Sequence, residues 1–429
     1  MKLFKTYIAV ALALFALIPT SCLKNQEDIF DDPSNVRMQQ YLDHAKEVLM
    51  SAPNGWIFDY APDRNHSYGM ILYTLQFNSG EVTVGSEIAP GEFETSLYKL
   101  TNDNGPSLSF DSYNTLMHYF ATPSWSHYQA LDGDFEFIIM DVKPERIVLK
   151  GKRTGNLMAL TPLQEDAETY IKKTMASADE QFLVRAAGTV AGKSAEVFLN
   201  LDVNRFEITF DDPSVEPAEA YFAFSPTGIR FPIPLEIDGK TVESLDYKFD
   251  AATEAGEYSS AAGSSLDVKV ATYIPADYAY ITDYSGPFTM RLGGKDVDCT
   301  LEPNPAEGTV LIKDLNNRYD IVAQYSKGYG TISLTSQELG MNGKNPIKLC
   351  SGTGGGFYQA PGMAGVQFHR DTENPNLFNA EIVSSMSKSG EVGRYFVIIE
   401  FVDGVAYLCS TPWQIGGMYE FELQSLTKK

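Results

Sequence analysis

Cysteine is scarce in this 429-residue sequence, which contains four. Cys22 directly follows an N-terminal apolar run, and only Cys299, Cys350 and Cys409 remain in the rest of the chain. Three cysteines cannot all pair, so no disulfide framework holds the fold together. We expect buried free thiols in the segments "IKLC" and "AYLC"; a single Cys350–Cys409 bond with Cys299 free is the alternative.

Basic residues are also in short supply. Lysine and arginine total 33 against 56 aspartates and glutamates, which gives a net charge of −23. This balance argues against a nucleic-acid-binding protein, because the phosphate backbone demands a basic footprint. It also argues against adhesion to anionic lipid.

Familiar catalytic motifs are missing too. The five histidines are scattered, and the sequence holds no H-E-x-x-H, G-x-S-x-G or C-x-x-C motif. These absences disfavour metallohydrolases and serine hydrolases of the ordinary type. Beyond residue 18, no apolar stretch approaches the roughly 20 residues that a membrane-spanning helix needs.

What the sequence does contain begins with an export signal. Two lysines precede the apolar run "YIAVALALFALI", which fits the h-region of a secretory signal. Small residues then precede Cys22. The arrangement resembles a bacterial lipobox, in which the signal is cleaved before the cysteine and the cysteine is lipidated. We predict a signal peptide over residues 1–21 and lipidation of Cys22; a plain secretory signal with an incidental cysteine is the alternative.

The chain turns acidic after Cys22. Residues 22–35 are polar and contain a proline, which predicts a solvated tether. Acidic residues just after a lipidated cysteine resemble the surface-export signals of Bacteroidota lipoproteins. Without residues 1–21 the chain carries 31 basic and 56 acidic residues, a net charge of −25. We therefore expect an outer-membrane protein, anchored in lipid through Cys22 and facing the cell surface.

Short runs of alternating apolar residues dominate the remaining chain and predict a mainly β fold. A few short amphipathic helices are expected, chiefly after Pro33 and over residues 165–181. We predict two all-β units, barrel- or sandwich-like, over residues 36–250 and 285–429. Residues 251–284, which include the small and polar "DAATEAGEYSSAAGS", read as a linker and a connecting strand.

The N-terminal unit shows a weak internal repeat, with copies over residues 36–163 and 164–250. Each copy begins with an amphipathic helix and continues as a β meander. "FIIMDVKPERIVLKGK" parallels "YFAFSPTGIRFPIPLEIDGK", which matches Pro144 with Pro226. Chance is the alternative to duplication, because β meanders resemble one another.

Three carboxylates alternate in "LDGDFEFIIM": Asp132, Asp134 and Glu136. They could bind Ca²⁺, which takes oxygen ligands, and Ca²⁺ is the one cofactor the sequence leaves open. They could also serve as acid and nucleophile of a glycosidase, which needs carboxylates about 5–10 Å apart. The simpler interpretation is a strand with Phe135 and Phe137 facing the core, and Asp134 and Glu136 facing solvent.

An aromatic loop is the best candidate for ligand binding. Trp125, His127 and Tyr128 lie in a segment with Pro and Ser, between a predicted helix and a strand. Clustered rings in a loop favour contact with a ligand such as a sugar. The alternative is that Trp125 folds back as a plug over a barrel end. Trp413, in "STPWQIGG", is a more isolated candidate of the same kind.

Several segments together resemble a known family: "PNGWIFDYAPDRNHSYGMILYTLQFNSGEVTV", "LSFDSYNTLMHYF", "GDFEFIIM" and "LKGKRTGNLMAL". They are similar to a family of Bacteroidota lipoproteins labelled domain of unknown function 4302. The resemblance runs from the lipobox to about residue 250. That family has no established activity, so the resemblance implies no site residues.

The family context nevertheless implies a role. Its members look like cell-surface accessories of TonB-dependent nutrient uptake. The resemblance therefore implies an anchored, non-enzymatic binding or accessory protein. Its partners would be the transporter and the substrate-binding lipoprotein of that system, and its ligand a glycan or peptide. A glycan hydrolase using the carboxylates of 132–136, or a structural subunit that docks partners in an outer-membrane complex, is the alternative.

Overall fold

The structure is a computed structural model that describes residues 33–103, 105–124, 130–353, 356–358, 365–382 and 392–429. Antiparallel strands account for most of this part of the chain, which confirms the predicted mainly β fold. Two α-helices accompany them, α1 (Ser34–Ser51) and α2 (Ala167–Glu180). Neither helix in these ranges is both long and apolar enough to cross a membrane.

The first barrel follows α1 and is a closed ring of eight strands in chain order, sealed by pairing of β1 with β8. Its strands are β1 (Trp56–Tyr60), β2 (Ile71–Phe77), β3 (Glu81–Ser86), β4 (Phe93–Asn102), β5 (Pro106–Phe110), β6 (Glu136–Lys143), β7 (Arg146–Gly151) and β8 (Leu157–Pro162).

Aromatic side chains fill the first barrel, because alternate residues of a strand point to the same face. The β1 residues Trp56, Phe58 and Tyr60 are fully buried. The ring of Phe58 meets that of Phe137 edge-on, with centroids 5.4 Å apart. The buried side of α1 joins the same core, and the Trp56 indole donates to the backbone oxygen of Leu49 at 2.8 Å.

The second barrel follows α2 and repeats the plan of the first. Its strands are β9 (Arg185–Val190), β10 (Lys193–Asn200), β11 (Arg205–Phe210), β12 (Ala218–Tyr221), β13 (Ala223–Ser225), β14 (Gly228–Ile237), β15 (Lys240–Asp250), β16 (Ala255–Ser260) and β17 (Val268–Thr272). Pairing of β17 with β9 joins the two ends of the meander. Only Phe222 separates β12, which pairs with β11, from β13, which pairs with β14. These two strands therefore act as one bent strand, and the meander has eight positions.

Both barrels follow a helix and run as meanders of eight strand positions, but the residue matching drawn from the sequence does not fit their strand order. Pro144 lies in the turn before β7, the seventh strand of its ring. Pro226 lies in the turn before β14, the fifth position of the second ring. A hairpin with a proline turn recurs at several positions of any meander, so the local similarity matched two strands that are not equivalent.

The predicted linker is also corrected by the structure. Residues 255–260 are β16 and residues 268–272 are β17, so the second barrel runs to residue 272, past the predicted boundary at 250. The small residues have a packing reason. A Cβ atom on Gly256 would lie 2.3 Å from the ring of Tyr247 on the neighbouring strand. Small residues that pack beneath a ring give this strand the same composition as a flexible linker, which explains the wrong prediction.

The third barrel lies within the predicted C-terminal unit. Its eight strands are β18 (Gly286–Leu292), β19 (Lys295–Asn304), β20 (Thr309–Lys313), β21 (Ile321–Ser326), β22 (Thr331–Thr335), β26 (Gly365–Arg370), β27 (Leu377–Ile382) and β30 (Glu420–Lys428), and β30 pairs with β18 to close the ring. A side sheet extends from it through pairing of β28 (Val392–Val402) with β30. That sheet contains β23 (Gln337–Asn342), β24 (Asn345–Thr353), β25 (Gly356–Tyr358), β28 (Val392–Val402) and β29 (Val405–Leu408).

Helix α2 and a buried ion pair hold the first two barrels together. Arg230 of β14 reaches across to Asp59 of β1, and its Nε lies 3.0 and 2.8 Å from the two carboxylate oxygens. The same guanidinium donates to the hydroxyl of Tyr170 on α2. Asp59 is 1% exposed. Because this residue and Ile57 are covered from outside the barrel, every residue of β1 is buried, on both faces.

A second contact between these barrels lies at the loop that joins β1 to β2. The ring of His66 stacks on Tyr221 of β12, with centroids 3.7 Å apart and planes 9° from parallel. Burial lowers the pKa of His66. The Asn204 amide donates to the backbone oxygen of Met70 at 3.3 Å. The β1–β2 loop is therefore fixed from the second barrel as well as from its own.

Candidate functional site

A buried carboxylate organises one end of the first barrel. Asp134 is 3% exposed and accepts three hydrogen bonds from the turn between β7 and β8. The donors are the backbone N–H of Arg153 at 2.6 Å, the backbone N–H of Thr154 at 3.0 Å and the Thr154 hydroxyl at 2.6 Å. A Cβ atom on Gly151 would lie 2.2 Å from this carboxylate, so the turn needs glycine there. The segments "GDFEF" and "GKRTG" are thus two halves of one structure.

This arrangement corrects the predicted orientation of residues 134 and 135. Asp134 was expected to face solvent and is buried, whereas Phe135 was expected in the core and is 39% exposed. The physical reason is that β6 begins only at Glu136, so the alternation of a strand does not yet apply. From there the expected pattern holds, with Phe137 buried.

The three candidate carboxylates have separate partners. Asp132 pairs with the guanidinium of Arg153, and Glu136 lies 3.3 Å from the Ser109 hydroxyl and 3.5 Å from the Lys152 ammonium. Within the described ranges, no three His, Cys, Asp or Glu side chains group as metal ligands. Asp134 is thus engaged by donors of the β7–β8 turn, whereas Asp132 and Glu136 lie beside two different cations.

The β1–β2 loop forms the neighbouring part of the same barrel end. The Asp63 carboxylate accepts from the backbone N–H and hydroxyl of Ser67 at 2.7 and 2.9 Å. The amide of Asn156 donates to the backbone oxygen of Asp63 at 2.6 Å. Arg64 donates through Nε to the backbone oxygen of Thr154 at 3.2 Å. Polar contacts therefore join this loop to the turn that holds Asp134.

The loop between β5 and β6 is pinned at its base beside them. The backbone N–H groups of Leu131 and Gly133 donate to the backbone oxygen of Phe120, at 2.9 and 3.0 Å. Ala130 and Asp132 adopt positive φ angles of 61° and 63°. Such backbone is uncommon outside glycine and tends to occur where surrounding contacts enforce a particular loop shape.

Two exposed tyrosines at this end of the barrel contact the same buried ring. Tyr68 is 40% exposed and Tyr119 is 53% exposed, and their centroids lie 5.5 and 5.0 Å from that of Phe120. Burial, followed by the nearby carboxylates of Asp63 and Asp132, raises the pKa of Tyr68. We call Tyr68, Tyr119 and the Asp132–Arg153 pair the aromatic rim.

The sequence did not single out Tyr68, Tyr119 or Arg153. Their segments "NHSYG", "MHYF" and "GKRTG" are far apart in the chain, and none has a periodicity of its own. A signal existed only in the family resemblance, which contains all three segments without assigning them a role. Contact between them arises from closure of the barrel, which sequence patterns do not report.

The predicted aromatic binding residues fall into two groups. Trp125, His127 and Tyr128 lie outside the described residues, and so does the lipidation site Cys22. Trp413 is 5% exposed and packs in the core of the third barrel, with its ring parallel to that of Tyr319 at 6.0 Å. A buried indole offers no face to a ligand. Trp413 is therefore a core residue; it lies at the end of the short 3₁₀ turn Thr411–Trp413, and its backbone oxygen accepts from the Tyr319 hydroxyl at 2.7 Å.

The three remaining cysteines are free thiols. Cys299, Cys350 and Cys409 are buried, as expected for cysteines in apolar strands. Burial raises the pKa to about 12 for Cys299, about 11 for Cys350 and about 11 for Cys409. The reactive thiolate is therefore disfavoured at neutral pH.

We expect these thiols to be unreactive in the native protein. A Cys22→Ser variant treated with a thiol reagent at pH 8 should react only after addition of denaturant. Three thiols per chain should then react. Unfolding in the absence of reductant is essential to the design. One equivalent instead of three would reveal the Cys350–Cys409 bond and contradict the buried-thiol assignment.

Two family models match two different parts of the chain. Residues 26–249 match the family model described as Domain of unknown function (DUF4302). Residues 262–398 match a second model, DUF4987, also described as a domain of unknown function. No curated protein matches the chain.

Solved structures offer distant likenesses. A protein of unknown function from the DUF3598 family of Nostoc punctiforme PCC 73102 is 11% identical, aligns over 58% of this chain and 97% of its own, and has a TM-score of 0.13. A mutant of transferrin binding protein B from Haemophilus parasuis Hp5 is 10% identical over 87% of this chain and 75% of its own, with a TM-score of 0.12. Trypanosoma rangeli sialidase is 9% identical over 83% and 78%, with a TM-score of 0.12. Scores this low carry no argument about function.

The family matches carry more weight than these structures. The first of them spans the first barrel and most of the second, and it includes every segment of the aromatic rim. Since it covers more than half of the sequence, the chain belongs to the family described as Domain of unknown function (DUF4302).

Proposed function

We propose that this protein is a lipid-anchored cell-surface binding protein of a TonB-dependent nutrient-uptake system, and that it binds a glycan at the aromatic rim without catalysis. One observation carries the binding part. Tyr68 and Tyr119 present exposed rings at a barrel end whose loops are joined by hydrogen bonds, next to the charged pair of Asp132 and Arg153.

The chemistry of the rim suits a carbohydrate. An aromatic ring supplies a flat apolar face for the C–H side of a sugar, and binding sites usually add a few well-placed polar groups to fix orientation. Asp132 can accept hydrogen bonds from hydroxyl groups, and Arg153 can donate to ring or hydroxyl oxygens. Aromatic side chains fill the interior of the first barrel, so a ligand would bind at its loops and not inside it.

The anchoring part of the proposal rests on the N-terminal sequence. A lipidated Cys22 would become the first residue of the mature chain, followed by an acidic tether of about a dozen residues. At roughly 3.5 Å per residue, such a tether could hold the first barrel tens of ångströms above the lipid. The excess of acidic residues would also keep the body away from an anionic surface.

Glycan binding is tested with the Cys22→Ser protein, released from the membrane, against a panel of neutral oligosaccharides. For any ligand found, Tyr68→Ala and Tyr119→Ala should each weaken the affinity at least tenfold, which corresponds to about 1.4 kcal/mol. Tyr407→Ala is the matched control, because Tyr407 is equally exposed at 56% but lies on the side sheet. Unchanged affinity in both rim variants would refute this site.

Anchoring is tested by fractionation of cells. The wild-type protein should sediment with outer membranes and be digested by protease added to intact cells. Cys22→Ser should release the chain or leave an uncleaved precursor. Recovery of the variant in membranes at its normal mature mass would show that the cysteine is not the anchor. Protection of the wild type from protease would place it in the periplasm.

A further inference from the structure

A cleft in the third barrel has a composition that the function proposed above does not use. It measures about 650 Å³ and lies between the start of β30, the neighbouring strand β28 and the turn between β18 and β19. Two exposed tyrosines border it, Tyr395 at 49% and Tyr419 at 38% exposure. Its volume falls in the range of about 300–1,000 Å³ that is typical of small-molecule sites.

Strand geometry turns the polar residues of the cleft in one direction. Glu420, Glu422 and Gln424 alternate along β30 with buried residues, so their side chains share the outer face. Tyr395 of β28 is directly opposite Glu422 in the ladder and therefore projects from the same face. Two residues along a strand separate the backbones of Glu420 and Glu422 by about 7 Å. The two carboxylates thus stand side by side next to a tyrosine ring.

Glycines in turns line the cleft opposite the glutamates and add no side chains there. Gly293 and Gly294 form the β18–β19 turn with φ angles of 52° and 84°, and Gly417 contributes a third position with φ of 80°. These angles belong to the left-handed region that side chains disfavour. The backbone N–H of Gly294 donates to the Gln424 side chain at 3.2 Å. The side-chain oxygen of Gln424 is therefore already hydrogen-bonded, and the carboxylates of Glu420 and Glu422 are the remaining acceptors that face the opening.

The electrostatics of the cleft are one-sided. Among the described residues, no lysine, arginine or histidine lines it and none pairs with Glu420 or Glu422. Arg291, on the strand beside β30, is already paired with Asp296 at 2.9 Å. The net charge of −23 adds to the field at long range. Clefts lined by charge of one sign concentrate ligands of the opposite sign.

We infer that this cleft binds an organic cation, namely an amine or guanidinium group on an apolar stem. The carboxylates would accept its N–H groups in charge-assisted hydrogen bonds. The faces of Tyr395 and Tyr419 would contact the cation and its methylene groups. The inference concerns a separate site and stands whether or not the aromatic rim binds a glycan.

Isothermal titration of the Cys22→Ser protein tests the inference with two probes that share this chemistry. Spermidine represents a free polyamine, and the peptide acetyl-Lys-Gly-Lys-amide represents a basic chain. We expect saturable binding of at least one probe, and the tighter probe identifies the source. Glu422→Gln and Tyr395→Ala should each weaken that binding at least tenfold, and affinity should fall as salt is raised.

Matched controls separate this cleft from general attraction to an acidic protein. Glu307→Gln removes the same charge from an exposed turn of the same barrel, and Tyr407→Ala removes an exposed ring from the side sheet. Both should leave the affinity within twofold of the parent. Equal losses in Glu422→Gln and Glu307→Gln would overturn the inference, and so would the absence of saturable binding by both probes. Both cleft residues are at least partly exposed, so thermal unfolding should confirm that their variants remain folded.

Discussion

Replacing Arg230 with methionine is expected to lower the free energy of unfolding by about 3–5 kcal/mol, the cost of leaving a buried charge without its partner. The charge left unpaired is the carboxylate of Asp59, which is 1% exposed and lies where the first barrel contacts the second. Methionine keeps much of the side-chain volume, so the loss reports the ion pair rather than a cavity. Urea unfolding followed by circular dichroism gives the value.

A second variant distinguishes the cost of an unpaired charge from the worth of the pair. In the double variant Asp59→Leu/Arg230→Met no charge is left buried, and much of the lost stability should return. Arg291→Met is the control, since its pair with Asp296 is exposed and should contribute less than about 1 kcal/mol. A small loss in Arg230→Met, equal to that of Arg291→Met, would show that the barrels are not held by this pair.

Asp134→Ala is expected to destabilise the protein by about 2–4 kcal/mol. The change leaves two backbone N–H groups and one hydroxyl of the β7–β8 turn without their acceptor, and each unsatisfied buried donor costs roughly 1–3 kcal/mol when water cannot fully replace it. The same change should weaken any ligand at the aromatic rim, because Arg153 belongs to that turn. Thermal and urea unfolding measure the first effect, and titration measures the second.

Asp132→Ala is the matched control for this variant. Its carboxylate is exposed and pairs with Arg153 at the surface, so its loss should change stability by less than about 1 kcal/mol. The comparison also tests the calcium hypothesis. If residues 132–136 held Ca²⁺, the wild type would be stabilised by added calcium, and both variants would lose that gain.

Strong local periodicity made some elements predictable from sequence. Helix α2 was expected over residues 165–181 and spans Ala167–Glu180, with Tyr170 and Ile171 buried as the helical stripe implied. The strands of the first barrel were visible for the same reason. The closing pairs, β1 with β8 and β17 with β9, were not visible, because ring closure joins segments far apart in sequence.

The candidate site was less predictable than the fold. The pattern around Asp134 predicts a strand, yet the burial of that carboxylate depends on a turn 19–20 residues later in the chain. Tyr68 and Tyr119 become neighbours only through Phe120. The lipidation of Cys22 and the role of Trp125, His127 and Tyr128 stay predictions, since these residues lie outside the described part of the chain.

The closure of the second barrel has a practical consequence for anyone who divides this protein. The family match ends at residue 249, but the ring is completed only by β16 and β17, which end at residue 272. A fragment cut at residue 249 would expose the backbone hydrogen-bonding groups of β9 on one side and β15 on the other. Open strand edges of this kind template pairing between molecules. Such a fragment should therefore self-associate, whereas one that extends past residue 272 should stay dispersed.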